Sequence, residues 1–131
     1  MKRAMRSGFT LVELLTVIAI IALLAALILG LAGNAQKSAA RNKAEAEIAQ
    51  LESFITDYQM KYGQVPLTVA ALSNALIEAK HSLTNLADPW GLQYAYSNSS
   101  KVTFYLWSYG GDLSTPPTNR AIWIGNPAPL P

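Results

Sequence analysis

Hydrophobic positions are not spread evenly along the chain. From Leu14 to Ala32 no residue is charged, and apart from Thr16 and Gly30 the residues are Leu, Ile, Val and Ala. A helix over these nineteen positions reaches ~28 Å, close to the ~30 Å hydrocarbon core of a bilayer. Beyond it the pattern turns amphipathic. No Pro occurs from Asn34 to Tyr62, and Ile48, Leu51, Ile55, Tyr58 and Tyr62 recur at three- and four-residue steps, which predicts a helix with one apolar stripe. Arg41/Glu45 and Lys43/Glu47 form i,i+4 pairs on its other faces, basic before acidic, the weaker orientation. A continuous helix from Phe9 to Tyr62 would be ~80 Å long. Its second half reads as the face that docks on a globular head.

Gly63-Gln64-Val65-Pro66 supplies a helix stop, with Gly as cap and Pro beyond it. Thr68 is placed to cap a short helix over Val69–Ala79, with Val69, Leu72, Leu76 and Ile77 inward. Asn85 to Trp90 reads as a loop. Strands are predicted at Gln93–Ser97, Val102–Tyr109 and Ala121–Ile124, the first two forming a hairpin across Asn98-Ser99-Ser100. The Pro-rich end, Asn126 to Pro131, reads as irregular. Trp90, Tyr94 and Trp107 are expected to be core aromatics packing helix on sheet.

Composition sharpens the picture. Charged residues are only 14% of the chain, well below the usual quarter, because the apolar block carries none. The net charge of +2 is unevenly placed: Lys2, Arg3 and Arg6 precede the block, and without those three of the ten basic residues, seven face eight acidic ones. The body is near neutral, so no nucleic acid partner is expected. The basic cluster before the apolar run predicts a cytoplasmic N-terminus and an exported body. With no cysteine, disulfides, thiolate metal sites and cysteine nucleophiles are excluded. A cleavable secretory signal is a competing reading, but the run is long for an h-region and Leu31 to Ala35 offers only a weak cleavage site. No metalloprotease, phosphate-loop or nucleophile-elbow motif occurs, so catalysis has no support. The single histidine, His81, reads as a solvated loop or helix-end residue.

Glu13 stands at the edge of the apolar run. A lone carboxylate there costs ~2.5–3.5 kcal/mol if drawn to the bilayer centre, and no Lys or Arg lies within a turn on its face. Two readings stand. It snorkels into the headgroups, or a cut between Gly8 and Phe9 creates an ammonium one helical turn away.

The order Lys2-Arg3, Arg6-Ser7-Gly8-Phe9-Thr10-Leu11-Val12-Glu13-Leu14 resembles the class III signal of type IV pilins and type II secretion pseudopilins. Asp88-Pro89-Trp90-Gly91, Tyr94, Tyr96, Ser108-Tyr109-Gly110-Gly111-Asp112, Trp123 and Asn126 resemble the head of major pseudopilins of type II secretion systems. The resemblance implies an α+β, pilin-like fold: a long N-terminal helix, half transmembrane and half head-packed, on a small antiparallel sheet. It implies a leader at residues 1–8, a transmembrane and filament-core helix at 9–33, and an exported body at 34–131. It implies cleavage after Gly8 by a prepilin peptidase, N-methylation of Phe9, and assembly roles for Glu13 and Thr10. The implied product is a homo-oligomeric filament raised from the bacterial inner membrane by an assembly platform with minor pseudopilins, in the periplasm or at the cell surface. A type IV pilin or minor pilin, displaying a surface for adhesion or DNA uptake, is the alternative.

Gly30 and Gly33, with Asn34, form the weakest helical stretch. Either it unwinds on packing into a filament, or the small residues permit close helix packing. Major pseudopilins bind calcium in the loop after the Ser-Tyr-Gly motif. Here that loop offers Asp112, Ser114 and Asn119 with a single carboxylate, and Arg120 follows. That is a poor set for an ion that takes six to eight oxygens. No cofactor is expected, and an Asp112–Arg120 ion pair is expected to close the loop instead.

Overall fold

The computed structural model describes residues 8–130. The basic leader residues before Gly8 lie outside the described residues, so the charge asymmetry they carry stays a sequence argument. The chain divides between Lys37 and Ser38 into two units.

Helix α1 runs Leu11–Tyr62 without interruption. In its first unit every large apolar side chain from Leu14 to Leu31 is exposed. A continuous apolar surface of this kind marks lipid or another helix as its partner. Gly30 and Gly33 are helical, and a Cβ on either would meet nothing within 4 Å. Neither glycine is required by packing inside the chain.

In the second unit the predicted stripe is realised. Ala44, Ile48, Leu51 and Ile55 of α1 are buried in one apolar cluster with Val65, Leu72, Leu76, Leu86, Tyr94 and Leu106. Tyr62, the last position of the stripe, is exposed. The two surface pairs form, Arg41 to Glu45 at 3.3 Å and Lys43 to Glu47 at 3.8 Å. Gly63 ends α1 in the left-handed region (φ 72°), its N–H donating to the Gln59 carbonyl at 2.8 Å, as a glycine cap does.

Helix α2, Val69–Glu78, starts on Thr68, whose hydroxyl accepts from the Ala71 N–H at 3.1 Å. Leu72 and Leu76 point into the core, but Ile77 is 57% exposed. Ile77 lies about 100° round the helix from Leu76, past the face that the core covers. His81 is half-buried rather than solvated. Its Nδ1 accepts the Leu83 N–H at 3.1 Å, and its ring lies 5.5 Å from that of Phe54.

The sheet is antiparallel, with three strands in the order β1 (Ala95–Asn98), β2 (Phe104–Ser108), β3 (Ile124–Asn126). The hairpin is in the predicted place, with Asn98 opposite Phe104. The third strand is displaced. Arg120–Ile122 forms a 3₁₀ turn, and the strand begins at Ile124 and includes Gly125 and Asn126, residues at or beyond the end of the predicted one. Period-2 alternation sorts β2: Phe104, Leu106 and Ser108 face the core, and Trp107 faces the other way. Trp107 is therefore not a helix-packing aromatic. It stacks on Trp123 (6.3 Å, 14°), and Tyr109 packs edge-on against both.

Candidate functional site: the helix start and the loops of the head

Gly8, Phe9 and Thr10 precede the helix and are exposed. Thr10 is the N-cap. Its hydroxyl accepts from the Glu13 N–H at 3.2 Å, while Glu13 Oε2 accepts from the Thr10 N–H at 2.9 Å and from the Thr10 hydroxyl at 2.9 Å. This reciprocal arrangement is a capping box. Glu13 therefore has a partner in Thr10, although no Lys or Arg lies within a turn of it in the sequence. The signal was present, since Thr10-Leu11-Val12-Glu13 is the T-x-x-E pattern of a helix start. The box fixes the start of α1 two residues after the Gly8–Phe9 bond and keeps that peptide non-helical. Cutting there leaves the Phe9 ammonium one residue outside the box, next to a carboxylate already turned towards the helix N-terminus, where the dipole favours negative charge.

The head motifs form two carboxylate-centred hydrogen-bond nodes. Asp88 Oδ1 accepts from the N–H groups of Trp90 (3.0 Å) and Leu92 (2.8 Å), and Oδ2 accepts from the Ser108 hydroxyl at 2.6 Å. Ser108 Oγ in turn accepts the Gly110 N–H at 3.0 Å. One carboxylate thus ties the Asp-Pro-Trp-Gly turn to the end of β2. In the sequence, the clue to this role is an Asp that opens a turn. Glu47 of α1 makes a further tie, accepting the Tyr94 hydroxyl at 2.6 Å. Burial first, then this bond and the Glu47 charge, push the Tyr94 pKa up.

Asp112 is the second node. Oδ1 accepts from the Ser114 N–H (3.1 Å) and the Ser114 hydroxyl; Oδ2 accepts from the N–H groups of Thr118 (2.9 Å) and Asn119 (2.8 Å). These bonds, the Ser114 hydroxyl first and the Asn119 N–H next, pull its carboxyl pKa down to about 2. The expected Asp112–Arg120 ion pair is not made. The Arg120 guanidinium donates to the Ala128 carbonyl at 2.9 Å and lies 5.0 Å over the Trp123 ring, so it anchors the C-terminal segment. The approach of the loop to the 3₁₀ turn requires glycine: a Cβ on Gly110 (φ +63°) would sit 2.1 Å from the Ile122 carbonyl oxygen. Among the described residues no three His, Cys, Asp or Glu side chains gather as a metal site.

A helix N-cap two residues after a glycine, an uncovered apolar helix and a small α+β head define the class of prepilin-type filament subunits. The family model described as "Prokaryotic N-terminal methylation motif" matches residues 3–29, and that described as "Type II secretion system (T2SS), protein G" matches residues 32–126. The chain belongs to the type II secretion protein G family and is a structural subunit of the pseudopilus. Similar relatives, each named type II secretion system core protein G, include those of Escherichia coli K12 (36% identical, covering 80% of this chain and 81% of the relative) and Vibrio cholerae serotype O1 (30%, 95% and 94%). That of Pseudomonas aeruginosa PAO1 is 29% identical over 96% of this chain and 98% of the relative. No solved structure matches the chain significantly. The motif and the apolar helix fit inner-membrane anchoring and filament assembly after prepilin processing, and the family is structural rather than enzymatic.

Proposed function

We propose that this subunit is cut between Gly8 and Phe9 by a prepilin peptidase, methylated on the Phe9 nitrogen, and drawn from the inner membrane into a homo-oligomeric periplasmic filament that drives protein secretion. Before assembly it spans the membrane once, N-terminus inside. The capping box that holds Glu13 beside the scissile bond is the observation that carries this reading. A methylated amine stays cationic, so Phe9 provides a countercharge for Glu13 within one chain or between neighbours. The apolar side chains from Leu14 to Leu31, exposed in the single chain, lose lipid as partner on assembly and gain one another. Packing of those helices is where Gly30 and Gly33 act, by close approach or by local unwinding. An assembly platform and minor pseudopilins complete the machine.

Expressing the full-length chain with and without a prepilin peptidase, and measuring intact mass, tests the pathway. Loss of Met1 to Gly8 plus one methyl group is expected. An uncut chain would make it a plain single-pass anchor, and a cut near Ala35 would make it a secreted soluble domain.

A further inference from the structure

The loop that resembles a calcium site has the opposite polarity. Calcium takes six to eight oxygens, several of them carboxylate. The segment from Gly110 to Asn119 contains one carboxylate, and a carboxylate has about four lone-pair sites. All four are filled from inside the loop, by the Ser114, Thr118 and Asn119 N–H groups and the Ser114 hydroxyl. The successive N–H groups of Thr118 and Asn119 turn inward onto one oxygen, Oδ2, at 2.9 and 2.8 Å. Converging backbone N–H groups of this kind make an anion-binding concavity. Here the anion is the chain's own Asp112, buried to 9% exposure. A cation bound at this carboxylate would meet the positive ends of those dipoles, and to reach the oxygens it would have to break the bonds that close the loop. Arg120 leaves the loop for Ala128 and Trp123, so no second charge enters.

We propose that the 110–119 loop is a metal-independent closure, in which the Asp112 carboxylate replaces calcium as the centre that orders the loop. The head of this subunit is then competent for assembly whatever the calcium supply. This goes beyond the filament role and is tested apart from it.

The test uses the full-length protein in mild detergent, following unfolding of the head by tryptophan fluorescence with chelator or with millimolar calcium chloride. Unfolding midpoints within about 1 °C of each other are expected, since a ligand that binds only the folded state would raise the midpoint by mass action. Calorimetric titration with calcium chloride should give no saturable heat. Asp112→Asn, which puts an NH2 donor where one of the two accepting oxygens is needed, should lower the midpoint by the same amount in chelator and in calcium. A calcium-dependent rise of several degrees that Asp112→Asn abolishes would overturn the proposal, and the wild-type titration decides even if the variant does not fold. A rise that survives Asp112→Asn would put calcium elsewhere and leave loop closure with Asp112.

Discussion

Replacing Asp88 by Ala should destabilise the head by about 3 kcal/mol. Asp88 is 5% exposed and receives three donors: the Trp90 and Leu92 N–H groups and the Ser108 hydroxyl. Hydrogen bonds to charged groups are each worth about 1.5–3 kcal/mol, and an orphaned buried donor costs about 1–3 kcal/mol. Trp90 and Leu92 are only half-buried, so water compensates part of the loss, and three orphaned donors at about 1 kcal/mol each give about 3 kcal/mol. Ser108→Ala removes one bond to Asp88 and the acceptor of the Gly110 N–H, and should cost about 1–2 kcal/mol. Because the two side chains share a bond, the double variant should be less destabilised than the sum of the singles by about 1 kcal/mol. Urea unfolding of the full-length protein in mild detergent, followed by tryptophan fluorescence, reads the head. With an m value of roughly 1–3 kcal/mol/M, 3 kcal/mol moves the midpoint by about 1–3 M. A cost below about 1 kcal/mol for Asp88→Ala, or strict additivity with Ser108→Ala, would refute the view that this carboxylate ties the turn to the sheet.

Leu51→Ala should cost about 2–5 kcal/mol in the same assay, because Leu51 is fully buried at the centre of the α1 stripe. Ile77→Ala, on the exposed side of α2, should stay within about 0.5 kcal/mol. The pH profile of head stability should fall at both extremes. Burial first, then the Tyr58 charge, raise the Tyr96 pKa from 10.0 to about 12, so its contribution is complete below pH 10.0 and is lost as pH rises through about 12. Asp112 is shifted down from 3.8 to about 2, so its contribution is complete above 3.8 and is lost as pH falls through about 2. A fluorescence-monitored stability profile with no alkaline loss in wild type relative to Tyr96→Phe would count against the tyrosine assignment.

Local signals were legible. The stripe of Ile48, Leu51 and Ile55, the Thr68 cap and the Gly63 stop each rest on periodicity or on one residue's backbone chemistry, and the structure has all three. What was not legible depends on partners distant in sequence. Ala121-Ile122-Trp123-Ile124 reads as a strand by composition, but Ile122 belongs to a 3₁₀ turn packed against Gly110, and only Ile124 reaches the ladder with β2. Arg120 looked like the natural partner of Asp112 because it is near in sequence and opposite in charge. Backbone N–H groups satisfied the carboxylate instead, and an aromatic face with a carbonyl took the guanidinium. At the N-terminus the reverse held. Glu13 takes its partner not from a basic side chain but from a T-x-x-E capping box.

The stability of the head rests on the second half of α1. Strands of four, five and three residues make a small sheet whose apolar face needs cover. There is no disulfide to help, since the chain has no cysteine. Ala44, Ile48, Leu51 and Ile55 supply that cover from the helix whose earlier residues form the apolar span. The sheet therefore depends on that stretch of α1 for its core. Its loops are held in addition by Asp88 and Asp112, each surrounded by N–H and hydroxyl donors. A variant that weakens the stripe should loosen helix and sheet together, whereas one that removes a carboxylate should open its loop first.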